Sequence, residues 1–283
     1  MGEGRAGGPG GPRRETISFL SDYGTRDEFV GVVHSVLRQL APHVAVIDVC
    51  HEVAPHDVRA GSLTLARSMQ YLAPGVVLAV VDPGVGGPRR GVAVELASDG
   101  PGPASVLVGP DNGLLAPAVA MAGGALRAVS LTNVEHHLAA PGPTFAGRDV
   151  FAPAAARLCT GTALDDLGEA IDPGSLLPGI VPLPRVEGDR LVGEVLWVDR
   201  FGNVQLNLDP DDVARLGPQV TVTVGERHRV ANRVSAFSEL RPGQVGLLVD
   251  SYGMLALVLD RRPAAEELHV AAGDALVLSA AAE

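Results

Sequence analysis

VVLAVVDPGVGGPRR, residues 76–90, carries more of the fold than any other stretch of the chain. Val76–Val81 is an unbroken apolar, β-branched run, the pattern of a strand covered on both faces. At its carboxyl end comes Asp82, followed by a Pro/Gly loop that keeps side chains out of the way of a ligand, and then Arg89 and Arg90. In open α/β sheets, ligands bind beyond the carboxyl ends of strands. An Arg brought back to a strand-end Asp makes a bidentate pair. The same pattern suits a surface turn closed by a structural ion pair. No GxGxxG precedes a helix here, so a dinucleotide fingerprint is missing.

Outward from this stretch, strand-like and helix-like segments alternate. Thr16–Leu20, Val44–Val49, Gly91–Leu96 and Val106–Gly109 read as strands, with Val44–Val49 expected to be buried on both faces. Phe29–Leu40, Val58–Tyr71, Leu114–Ala122 and Ala152–Cys159 read as helices. This order predicts an α/β domain with a largely parallel sheet and flanking helices. From Ile171 to Asp189 the chain turns Pro- and Gly-rich, as a linker does. Beyond it, Leu191–Val198, Val204–Leu208, Val220–Val224, Gly246–Val249, Leu255–Leu259 and Ala275–Leu278 are short strands with turn signals, which predicts a small β-barrel. The expected division is a tail over 1–14, an α/β domain over 15–185 and a β-barrel domain over 186–283.

Composition narrows the chemistry. The 283 residues are 46% hydrophobic, 19% charged and only 4% aromatic, so the cores are aliphatic. The net charge of −11 disfavours nucleic acid and anionic membranes as partners. The basic side chains are all Arg; with no Lys, Schiff-base chemistry and a P-loop are excluded. Two cysteines, Cys50 and Cys159, are too few for a disulfide framework or a Cys-based zinc site. No window is long and apolar enough to span a membrane. The opening MGEGRAGGPGGPRR lacks the apolar region of a signal peptide, so the expected compartment is the cytoplasm.

Several polar positions stand where chemistry is expected. Asp22, in SDYGTRD past the first strand, is placed to accept two hydrogen bonds from a ribose diol, or to cap a turn. Asp111-Asn112-Gly113 again follows a strand, and Asn-Gly is also common turn chemistry. Asn203, in Asp199-Arg200-Phe201-Gly202-Asn203, is able to read a base edge with Phe201 stacked on it, or to close a hairpin. His51 and His56 in DVCHEVAPHD invite a metal reading with Asp48, Glu52 and Asp57. Their spacing after a strand does not fit helical ligand geometry, and His136-His137 point apart in any regular structure, so no metal is expected.

Taken in order, SDYGTRDEFVG, IDVCHEV, DPGVGGPRR, GPDNGLL, PTFAGRDVFAPAAA, VDRFGNVQLN and DSYG resemble the S-adenosylmethionine (SAM) hydroxide adenosyltransferase family, SAM hydrolases related to the SAM-dependent fluorinase and chlorinase. The resemblance spans roughly residues 16–260. It implies hydrolysis of SAM to adenosine and L-methionine by water or hydroxide at the ribose C5′, without metal or other cofactor. It also implies a homotrimer with active sites between subunits. Asp22 matches the ribose-binding Asp. Asn112 matches the PDNG loop near the nucleoside, Phe201 and Asn203 the adenine side, and Asp27, Asp199 and Ser251 the methionine end. Asp82 and Arg89 match the first two members of an Asp-Arg-His triad. Ala146 stands where the family pattern TFHGRD has the histidine, which implies slowed hydrolysis. His56 stands where the fluorinase has an aromatic lid. The DPGVG loop and Gly147 resemble the hydrolase branch. A SAM-dependent halogenase of the chlorinase kind, and a non-catalytic SAM- or adenosine-binding protein, are the alternatives.

Overall fold

A computed structural model describes residues 11–97 and 103–281, and they divide into two compact units between Ile180 and Val181. Of the expected tail, residues 1–10 lie outside the described residues. Arg14, its last residue, is buried. Its Nε and Nη2 donate to the Ala104 carbonyl, and Nη2 pairs with Glu95 at 3.7 Å.

The first unit is built on a seven-stranded sheet. Its strands are β1 (Thr16–Ser21), β2 (Ala45–Cys50), β3 (Val76–Val80), β4 (Gly91–Leu96), β5 (Val106–Pro110), β6 (Ala125–Ser130) and β7 (Glu169–Ile171), in the spatial order β2-β1-β3-β5-β4-β6-β7. β2, β1, β3 and β5 pair in parallel. β4 runs against both β5 and β6, and β7 against β6. The sheet is therefore mixed, with five of its strands sharing one direction.

The helices cover both faces. Alternation along β3 sends Val76, Leu78 and Val80 into one core, with Val33 and Leu37 of α1 (Phe29–Leu40) and Leu158 of α4 (Ala152–Thr160). It sends Val77 and Ala79 into the other, with Leu65 of α2 (Val58–Met69) and Ala118 of α3 (Ala116–Met121). α2 starts where Asp57 caps it, Oδ1 accepting from the Ala60 N–H at 2.8 Å. α4 ends at Gly161, in the left-handed conformation usual at that position. Cys159, inside this packing, has its thiol pushed up to about 12 by burial, so it is inert as a nucleophile.

One expectation fails. The run Val44–Val49 is not covered on both faces: β2 lies at the sheet edge, with Ile47 45% exposed and Asp48 exposed. A mostly apolar run marks a strand, but Asp48 within this one belongs to the open face of an edge strand.

The second unit is a β-barrel. Its strands are β8 (Arg185–Glu187), β9 (Arg190–Val198), β10 (Val204–Leu206), β11 (Gln219–Val224), β12 (Arg227–Arg233), β13 (Val245–Val249), β14 (Leu255–Val258) and β15 (Ala275–Ala280). Seven of them close a ring in the order β9-β10-β14-β13-β12-β11-β15, with β10 returning to pair with β9. β8 pairs with the opening of β9. Closure removes the free edges that invite association. The interior is aliphatic, built from residues such as Val195, Leu206, Val220, Leu247, Leu257 and Leu278.

Candidate active site

β1 and β3 are neighbours in register, so the residues that follow them emerge side by side. The Asp22 N–H donates to the Val80 carbonyl at 3.3 Å, fixing this juxtaposition. Asp22 and Asp82 both line a cavity of about 240 Å³, together with Tyr23, Phe29, His56, Phe145 and Ala146. His56 reaches it from a bend with φ of 68°, and its backbone N–H donates to Asp22 Oδ2 at 2.9 Å.

Asp82 and Arg89 form the bidentate pair. Arg89 Nε donates to Oδ1 at 2.9 Å and to Oδ2 at 3.0 Å, and Nη2 donates to Oδ2 at 2.5 Å. The Asp82 side chain is only 5% exposed and that of Arg89 18%. The guanidinium also lies over the Phe151 ring, 5.3 Å from its centroid. The tight loop between the two residues lets the Arg turn back; Gly84 lies against the Arg89 stem.

Ala146 opens a π-helical turn over Gly147–Phe151 that runs into α4. It borders two spaces, the 240 Å³ cavity and a second of about 500 Å³ that also reaches Arg89, Leu138 and Asp149. Any side chain at position 147 would collide with the Tyr23 hydroxyl, which explains the glycine there. Burial, and then the charges of Asp22 and Asp82, raise the Tyr23 phenol above its ordinary value, so it stays a neutral hydroxyl. Tyr23, Phe29 and Phe145 pack edge-on or tilted against one another, with ring centroids 5.2–5.7 Å apart, and give the cavity an apolar wall.

In the barrel unit, Asp199 organises a turn. Its Oδ1 accepts from the N–H groups of Phe201 and Asn203, both at 2.8 Å, and its Oδ2 accepts from Asn203 Nδ2 at 2.7 Å. Gly202, with φ of 81°, packs too closely on Pro263 to carry a side chain. Asp199, Phe201, Asn203 and Ser251 line a cavity of about 540 Å³ with Phe237 and Tyr252. Phe201 is 76% exposed. Gln205, buried beneath, donates to Asp250 Oδ2 at 2.6 Å, and Asp250 Oδ1 accepts from the N–H groups of Tyr252 and Met254.

Two sequence-derived candidates do not reach these cavities. Asn112 Nδ2 donates to the Val81 carbonyl at 2.8 Å, and its Oδ1 accepts from the Leu114 N–H at 3.2 Å. That ties the loop after β5 to the end of β3. Asp27 lies exposed in the bend before α1 and is not among the lining residues. His136 and His137 are also not among the residues lining either cavity beside Ala146. Of the five residues in the metal reading of DVCHEVAPHD, Glu52 accepts from the Thr25 hydroxyl and Asp57 caps α2. Asp48 and His51 instead meet His34 of α1, which spacing along the sequence gave no reason to include.

The family described as SAM hydroxide adenosyltransferase N-terminal domain matches residues 17–168, and its C-terminal domain counterpart matches residues 193–277. The chain is 46% identical over 264 residues to an (R)-S-adenosyl-L-methionine hydrolase of Salinispora tropica, covering 93% of this chain and 97% of that one. It is 28% identical over 285 residues to a fluorinase of an Actinoplanes species, covering 91% and 95%. Its fold is similar to the crystal structure of an uncharacterized conserved protein from Thermotoga maritima, with a TM-score of 0.84, 32% identity, and 93% and 99% coverage.

Proposed function

The chain belongs to the SAM hydroxide adenosyltransferase family, and from that premise we propose that it hydrolyses S-adenosyl-L-methionine to adenosine and L-methionine. The observation that carries the reading is the partly buried Asp82–Arg89 pair beside the cavity that Asp22 also lines. SAM is a sulfonium, so its leaving group is a neutral thioether. The oxygen of a water attacks C5′, the C5′–S bond breaks with its electrons going to sulfur, and the water's second proton passes to solvent. Asp82 and Arg89 hold the water in line, which is mainly catalysis by positioning. Asp22 holds the ribose hydroxyls. No metal or cofactor takes part in this reading.

Halide transfer is the weaker reading, since the hydrolase relative is 46% identical and the fluorinase 28%. Incubation with SAM and chloride is expected to yield adenosine and L-methionine in equal amounts. 5′-Chloro-5′-deoxyadenosine as the main product would make the protein a halogenase. SAM bound without turnover would make it a binding protein.

Asp22→Ala is expected to weaken SAM binding by about 1.5–3 kcal/mol, the usual worth of hydrogen bonds to a charged group. Unchanged affinity by calorimetry would remove Asp22 from the site.

The proposal extends to assembly. Asp22 and Asp82 lie in the first unit, Phe201 and Asn203 in the second. In a homotrimer, the first unit of one subunit would meet the second unit of the next. Two crippled variants, Asp82→Asn and Asn203→Ala, are then expected to regain turnover when mixed under subunit exchange, because some sites receive both intact halves. Sedimentation should give a trimer mass. A monomer, or mixtures with no recovery despite exchange, would overturn the shared site. We place the protein in the cytoplasm, whose reducing conditions suit its two free cysteines.

A further inference from the structure

Away from the Asp82 cavity, α1 and the end of β2 bring three ligating side chains together. His34 Nε2 lies 2.8 Å from Asp48 Oδ1, and His51 Nε2 lies 3.0 Å from the same oxygen. All three ligand atoms fall within 4.8 Å of one another. None of the three residues lines the cavity that holds Asp22 and Asp82.

The environment of His51 is what makes the cluster more than an ion pair. Its side chain is 6% exposed. Its Nδ1 is 2.8 Å from the Ser21 hydroxyl, while Nε2 has no aligned hydrogen bond despite its nearness to Asp48. In the tautomer whose Nδ1–H donates to Ser21, the Nε2 lone pair is turned toward the Asp48 carboxylate, as a metal ligand's would be. A ligating His commonly has its second ring nitrogen fixed in this way by a hydrogen-bond partner. Phe19 packs against the His51 ring at 4.6 Å and holds its orientation.

We propose that His34, Asp48 and His51 bind a divalent cation of the zinc class, with a fourth position open to water on the exposed side of Asp48. Two imidazoles and a carboxylate suit zinc or cobalt. Tetrahedral ligands at about 2.0–2.2 Å from a metal lie roughly 3.4 Å apart, so small side-chain shifts complete the site. The ion would brace the segment that carries Asp22. Ser21 precedes Asp22 directly, and the Gly24 N–H donates to the His51 carbonyl at 2.7 Å. The inference does not depend on the reaction the protein catalyses.

The test uses the full chain, stripped with chelator and titrated with cobalt(II), then with zinc in competition with a chromophoric chelator. One cobalt per chain with the intense visible absorption of tetrahedral coordination is expected. Asp48→Asn and His51→Gln should each lose it, and Ser21→Ala should weaken binding by about 10–100-fold. Absence of the tetrahedral absorption, or uptake unchanged in Asp48→Asn, would overturn the site. Asp48 is exposed on an edge strand, so Asp48→Asn is expected to fold and to remain decisive even where the buried His51→Gln does not fold.

Discussion

Replacing Ala146 with histidine is expected to raise the turnover of SAM by about 10²–10⁴-fold, the usual worth of a positioned general base. The backbone permits it: Ala146 has φ of −60° and ψ of −27°, ordinary right-handed geometry for any L-residue. The space permits it too, because Ala146 borders both the 240 Å³ and the 500 Å³ cavities, and Arg89 reaches the second of them. An imidazole there would take the proton that otherwise leaves unassisted. The gain should fall on kcat, with KM little changed, because the ring would act on the water and not on the bound nucleoside. Steady-state kinetics of Ala146→His checks this. An unchanged kcat would mean that Asp82 and Arg89 alone set the rate.

The second large effect is on stability. Asp82→Ala is expected to cost about 3–5 kcal/mol, because it strands a partly buried cation. Arg89 would lose all three contacts to the carboxylate and keep its place over the Phe151 ring. The 18% exposure of Arg89 places the cost toward the lower end. Denaturant unfolding of Asp82→Ala beside Asp82→Asn, which keeps the shape without the charge, separates the lost pair from lost volume. A change under about 0.5 kcal/mol, typical of a surface substitution, would show that the pair adds little.

The central strands were legible because a run such as Val76–Val81 has one physical explanation, burial on both faces. The same logic misplaced Val44–Val49, where Asp48 interrupts the apolar residues and lies on a face left open at the sheet edge. β12, with the sequence RHRVANR, escaped notice because only Ala231 of it is buried, and the other positions carry charge or lie open to solvent. β7 and β8 are three residues each, too short for a period to register. In the site, the Asp82–Arg89 pairing was readable from a turn that only Gly and Pro make easy. Asn112 belongs to a motif that serves two ends, and here its amide clamps the chain beside the end of β3. His34 lies fourteen residues before Asp48 on another element, and only tertiary packing joins them.

The sharing of β3 between two cores has a consequence in time. Its residues point alternately into packing on opposite faces, and it is hydrogen-bonded on both edges to parallel neighbours. Such a strand belongs to the slowest-exchanging part of a domain, where amide protons escape only through global opening. Asp82 hangs from the end of that strand, and the loop that returns Arg89 closes onto it. The carboxylate therefore acts as the fixed reference onto which the guanidinium docks.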